Sequence, residues 1–233
     1  MTTMEGMMRG IRPAIWVVVG LLAGAAAAGS SDEAKTALKQ VTKATKGLRG
    51  VVADVEYSQI LGKRSINGKG KLYAHFAGIL RVEIGGDEPQ SVLFSPPFLY
   101  IHRHADEIVE VYDVTSNPNR LGQYLMLGFV PNGNALKERF VVELVEDSTL
   151  DGEPVMNFLL TPHPKKAAAA AEAIARIQLW VDPHNGLPAQ HEIVHATGDA
   201  RLKVRYLSVT RNDQLPDSIF RPDWPEGVTI LRK

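Results

Sequence analysis

Short segments in which apolar and polar residues alternate recur along most of this chain. A period of two commits a chain to half-buried β-strands before any other property is weighed. In 51–61, Val51, Ala53, Val55 and Tyr57 alternate with Asp54, Glu56 and Ser58. The same signal returns at 67–76, 79–85, 91–95, 98–104, 107–114, 139–147, 154–161, 176–182, 189–196 and 201–210. Turn chemistry separates these strands: Asn67-Gly68, Gly85-Gly86-Asp87, Asp151-Gly152, Asn185-Gly186-Leu187-Pro188 and Gly198-Asp199. Close spacing without long intervening helices predicts a mainly β fold, one antiparallel sheet running as a meander and strongly curved or partly closed.

Three segments depart from that rhythm. Residues 32–48 carry Ala34, Leu38, Val41, Thr45 and Leu48 at spacings of three and four, and Ser30 and Glu33 have capping-box spacing. An amphipathic helix follows, with Gly47 and Gly50 as its stop. Ser116-Asn117-Pro118 opens a second helix, with Leu121, Tyr124, Leu125 and Phe129 at helical spacing. The run Ala167–Ala175 predicts a short surface helix on propensity.

The N-terminus reads as a targeting segment. Arg9 and Arg12 precede an apolar stretch from Ala14 to Leu22, and Ala26-Ala27-Ala28 before Gly29 fits a signal-peptidase site. About a dozen strongly apolar residues fall short of the ~20 that a spanning helix needs. Residues 1–28 are therefore expected to be cleaved, leaving 29–233 as one exported domain.

Composition narrows the function further. The 233 residues hold 26 basic and 26 acidic side chains and no cysteine. Balanced charge argues against bulk nucleic-acid binding, which needs clustered excess Lys and Arg. Without cysteine there is no disulfide framework, thiolate metal site, Cys nucleophile or lipid-modified N-terminal cysteine.

One motif invites a catalytic reading. His191-Glu192-Ile193-Val194-His195 matches H-E-x-x-H, in which two histidines one helical turn apart converge on zinc while the glutamate activates its water. Here Pro188 and Gly198 leave too little room for the helix, and the segment reads as one arm of a hairpin. On a strand the two histidines stand ~13 Å apart at ~3.3 Å per residue, too far to share an ion. A secreted zinc peptidase is thus a remote alternative. His102 and His104, one pleat apart, read as polar residues on a solvated strand face. No nucleophile-elbow or phosphate-loop motif occurs, so neither enzymatic activity nor a metal or cofactor is expected.

The order of elements ends in Leu215-Pro216-Asp217-Ser218-Ile219-Phe220-Arg221-Pro222-Asp223-Trp224-Pro225-Glu226-Gly227-Val228-Thr229-Ile230. This resembles the periplasmic outer-membrane lipoprotein carrier family, LolA, whose members finish with a phenylalanine, a proline and a Gly-Val-x-Val/Ile segment. Upstream, Gly68-Lys69-Gly70-Lys71-Leu72-Tyr73, then Ile79-Leu80-Arg81-Val82-Glu83 and Pro89, resemble the family's Gly-rich turn, aromatic strand and following strand. Ser91–Phe94, Phe98–Ile101 and Leu159–Pro162 resemble later hairpins.

The resemblance implies a half-open β-barrel of about eleven strands with helices as a lid over an apolar cavity. That cavity would shield lipoprotein acyl chains between inner and outer membranes. Leu72, Ala74 and Phe76, with Leu80, Val82 and Ile84, match positions that look into it. Leu121, Tyr124, Leu125 and Phe129, with Leu38 and Val41, would form the lid's inner surface. Implied partners are acyl chains or other lipids, an inner-membrane lipoprotein-releasing ABC transporter and an outer-membrane lipoprotein receptor, met by a monomer. Phe76-Ala77 stands where well-studied members carry an Arg-Pro pair. A non-carrier lipid- or protein-binding sensor of the same fold is the alternative.

Overall fold

A computed structural model describes residues 31–75, 78–113, 115, 136–138, 140–163, 174–211 and 214–233. The expectations for 1–28, for Ser30, for Phe76 and for Leu121, Tyr124, Leu125 and Phe129 lie outside them.

Helix α1 spans Ser31–Ala44. It ends earlier than its apolar stripe, because the Thr45 hydroxyl bonds back to the Val41 carbonyl at 2.9 Å and Gly47 then turns with φ 78. The stripe still packs inward: Ala34, Leu38, Thr45 and Leu48 are buried and Val41 packs against the core. Gly50 starts a strand and takes no part in stopping the helix.

The first six strands form a meander: β1 (Gly50–Leu61), β2 (Arg64–His75), β3 (Ile79–Ile84), β4 (Gln90–Ser95), β5 (Phe98–Arg103) and β6 (Ile108–Asp113). Beyond residue 139 come β7 (Phe140–Val145), the small hairpin β8 (Thr149–Leu150) and β9 (Glu153–Pro154), β10 (Met156–Pro162), β11 (Ile174–Val181), β12 (Pro188–His195) and β13 (Ala200–Arg211). Pairing of β1 with β13 joins the two halves into one sheet of order β14-β6-β5-β4-β3-β2-β1-β13-β12-β11-β10-β7, with β14 at Thr229–Arg232. The sheet curves without closing, as an incomplete barrel does.

Several expectations need correction. The sheet is mixed rather than wholly antiparallel, since β14 runs parallel to β6. It has twelve strands, and β8–β9 forms a separate pair. Asn67-Gly68 is not a turn; it lies inside β2, and the hairpin turns at Gly62-Lys63, with Leu61 opposite Arg64 and Gly62 at φ 60. Ile174 and Ala175, read as the end of an alanine-rich helix, belong to β11. Pairing of Ile174 with His195 on β12 outweighs their helix propensity.

Alternation decides which side chains face the concave side. On β1 these are Val51, Ala53 and Val55, all essentially unexposed, followed by Tyr57. On β13, Leu202, Val204 and Tyr206 face the same way until a register shift opposite Asp54/Val55 changes the parity. Val209 then joins the core, while Leu207 is left exposed.

The C-terminal segment straps the opposite face. A 3-10 turn at Asp217–Phe220 buries Phe220 beside His75, ring centroids 6.2 Å apart. The Arg81 guanidinium donates to the Ile219 carbonyl at 3.1 Å and lies 5.7 Å from the Trp224 ring centroid. Trp224 covers Tyr100 and His102 at 6.0 and 5.4 Å. The chain then adds β14 to the edge of β6, where the Thr229 amide donates to the Glu107 carbonyl at 2.8 Å. His102 is thus buried beneath the strap and not on a solvated face.

Candidate functional site

Among the described residues the concave face is not filled from end to end. α1 packs against β7, is tied to the β11–β12 turn by Gln40 Nε2 donating to the Pro183 carbonyl at 3.1 Å, and receives at its Ala44 carbonyl a bond from Arg211 at 2.8 Å. Elsewhere on this face the second half of β1 and the strands beside it enclose a cavity of about 600 Å³. That volume falls within the about 300–1,000 Å³ typical of small-molecule sites.

Its wall is built by the parity of seven strands, β12 among them. β1 gives Val55 and Tyr57, β2 gives Ile66 and Leu72, and β3 gives Val82 and Ile84. Val92 and Ile101 continue it across β4 and β5, and Leu202 and Val204 close it from β13. A sharp approach of β2 to β3 bounds the same region. A Cβ on Gly70 would stand 2.1 Å from the Glu83 carbonyl oxygen, and one on Gly68 2.2 Å from that of Gly85. Only glycine lets the two backbones come so close.

Of the residues expected in the cavity, Leu72, Val82 and Ile84 line it. Ala74 and Leu80 lie in the fully packed core and form no part of the wall. Leu38 and Val41 of α1 belong to that core as well.

Polar groups gather at the rim. Arg64 pairs with Glu88, Arg103 with Glu110 at 3.2 Å, and Asp87 and Asp106 stand beside them. The Tyr57 hydroxyl donates to Gln59 Oε1. Burial, with the charge of Glu88 adding to it, pushes the Tyr57 phenol up to about 12, so it enters the site as a neutral donor.

His191 also stands in the cavity wall. It lies on β12 between Val204 of β13 and Leu179 of β11, with 1% of its surface exposed. Its Nδ1 is 2.9 Å from the Tyr206 hydroxyl. Burial alone lowers its pKa to about 4, so the imidazole is neutral at physiological pH. His195 lies four residues further along the same extended strand, so the helical convergence that H-E-x-x-H needs is absent. From the sequence alone, His191 reads only as a zinc ligand whose motif has lost its helix. The available signal was its parity with Ile193, a core residue.

A second polar cluster lies under the strap. Ser91 Oγ is hydrogen-bonded to Glu83 Oε2 and is 2.7 Å from His104 Nε2. The serine sits between carboxylate and imidazole, so its proton is held by Glu83. That order does not activate a nucleophile, which needs the imidazole between the other two.

No protein-family model and no curated protein matches this sequence. Solved structures do. An uncharacterized conserved protein from Thermus thermophilus is 10% identical over 86% of this chain and 99% of its own, with TM-score 0.54. A LolA superfamily protein from Nitrosomonas europaea is 14% identical over 81% and 97%, with TM-score 0.41. A chain of the Pseudomonas aeruginosa MucA/MucB complex is 12% identical over 82% of this chain and 61% of its own, with TM-score 0.44. At 10% identity the likeness to the Thermus thermophilus protein is one of fold alone.

Proposed function

We propose that this chain is an exported carrier that shields the acyl chains of lipoproteins, or of other lipids, during transfer from inner to outer membrane. The cavity of about 600 Å³ walled by Leu72, Val82, Ile84 and their neighbours is the observation that carries this reading. Each methylene moved from water into such a site is worth about 0.8 kcal/mol, so an acyl anchor is solubilised by burial alone. No bond is made or broken. The targeting segment read from residues 1–28 supports an exported, periplasmic setting.

Loading from an inner-membrane ABC transporter and delivery to an outer-membrane receptor are the partner steps of this proposal. The lid residues Leu121, Tyr124, Leu125 and Phe129 belong to it too. A reconstituted assay, moving a labelled lipoprotein from transporter-bearing vesicles to receptor-bearing vesicles, tests it. Transfer that depends on the protein supports the carrier. Binding of lipid without transfer supports the second reading, a lipid-binding sensor, which Phe76-Ala77 in place of Arg-Pro favours.

A further inference from the structure

The cavity wall contains a hydrogen-bonding atom that nothing among the described residues satisfies. His191 Nε2 is buried without a partner. Gln190 Oε1 shares that condition, but Gln190 points to the other side of β12 and does not line the cavity. An orphaned buried polar atom costs about 1–3 kcal/mol, so a fold that keeps one beside a cavity has a use for it or holds a water there.

The placement is directional. Nδ1, the ring nitrogen nearer the backbone, is engaged by Tyr206 on β13. Nε2 is the nitrogen farther from the sheet, and His191 shares the concave face with Val204 and Ile193. His191 is among the residues that line the cavity. The neighbouring wall residues Leu72, Val82, Leu202 and Val204 have no side-chain polar atoms. The charged residues Arg64, Arg103, Asp87, Glu88 and Asp106 belong to the rim.

We propose that the His191–Tyr206 pair is a polar recognition element within the acyl cavity, its free Nε2 reserved for an uncharged hydrogen-bonding group of the ligand such as an ester or hydroxyl. This rests on the cavity reading and sharpens it: the ligand is an amphiphile whose polar linkage enters the wall. A carboxylate suits the site poorly, because a neutral imidazole offers it no charge and burial resists protonation. With Tyr206 donating to Nδ1, Nε2–H donates to an ester carbonyl. With Nδ1–H donating to Tyr206, Nε2 accepts from a hydroxyl.

The test uses the mature full chain after delipidation, loaded with the neutral dye N-phenyl-1-naphthylamine. Methyl palmitate and hexadecane, delivered from cyclodextrin, compete for the cavity and differ in one ester group. The wild type is expected to favour the ester about tenfold beyond the two compounds' partition difference, as one buried hydrogen bond would give. In His191→Leu, and in the paired His191→Leu/Tyr206→Phe chain, that preference should vanish while hexadecane still binds.

Imidazole 15N shifts of His191 in the unmodified protein give a second readout that needs no variant. Nε2 should move on adding methyl palmitate and stay still with hexadecane. Equal binding of both compounds with Nε2 unmoved would overturn the recognition role, leaving a water as the partner of His191, yet would leave the carrier reading standing. Failure of both compounds to displace dye would overturn both readings.

Discussion

His191 Nδ1 lies 2.9 Å from the Tyr206 hydroxyl, a diagonal contact across β12 and β13 made out of reach of solvent. The contact places a neutral, titratable ring in the cavity wall, beside the apolar Leu202 and Val204, and its titration links cavity chemistry to stability. Unfolding restores the imidazole to its ordinary pKa near 6.5, whereas the folded value is about 4. The unfolded state therefore binds the extra proton between those values. The stabilising effect of a neutral His191 is complete above pH 6.5 and is lost as pH falls toward 4. Urea unfolding at pH 7 and 4.5 should show this group costing about 2 kcal/mol at the lower pH, and His191→Leu should reduce the pH dependence by that amount.

Filling the void separates cavity from core. Val82 lines the cavity while Leu80, two residues earlier on β3, is fully packed. Val82→Trp should leave the melting temperature within a few degrees of the wild type and cut dye binding about tenfold. Leu80→Trp has no space to enter and should cost about 2–3 kcal/mol. Thermal melts and dye titration on both variants check the contrast.

The close approach of β2 to β3 makes a steric prediction. Gly70→Ala drives a Cβ to 2.1 Å from the Glu83 carbonyl, so the strands must part, at about 2–3 kcal/mol. Gly85→Ala meets nothing nearer than 3.7 Å and should change stability by less than about 0.5 kcal/mol. Chemical denaturation of the two proteins side by side decides it.

The C-terminal strap depends on Arg81 and Trp224. Trp224→Ala removes the cation–π contact and the cover over His102, and should weaken attachment of the strap by about 2 kcal/mol. The expected sign is faster hydrogen exchange at the Thr229 and Lys233 amides, which bond to the Glu107 and Val111 carbonyls, with the β1–β2 amides unchanged.

Strands were legible wherever one face is core and the other is wet, because alternation such as Val51-Ala53-Val55 is a direct record of burial. That record fails where both faces are covered. His102 alternates as a surface residue would, yet Trp224, more than a hundred residues later, covers it. β14 left no signal, since Thr229–Arg232 is exposed and gains its strand character only from parallel pairing with β6. Asn67-Gly68 has the chemistry of a hairpin turn, but its use is steric: Gly68 lies against the Gly85 carbonyl, and Gly62-Lys63 makes the turn. The strand parity of Leu72, Val82 and Ile84 was visible, while the boundary that leaves Ala74 and Leu80 in packed core depends on where the concave face is filled.

The central claim is that this cavity holds acyl chains. Native mass spectrometry of the protein purified from envelope extracts without delipidation, followed by organic extraction of the bound species, tests it most directly. The account predicts a mass above that of the polypeptide, which extraction resolves into acyl lipid and which Val82→Trp largely removes. A spectrum of bare polypeptide, with no acyl chain extracted and none taken up from added lipid, would contradict it.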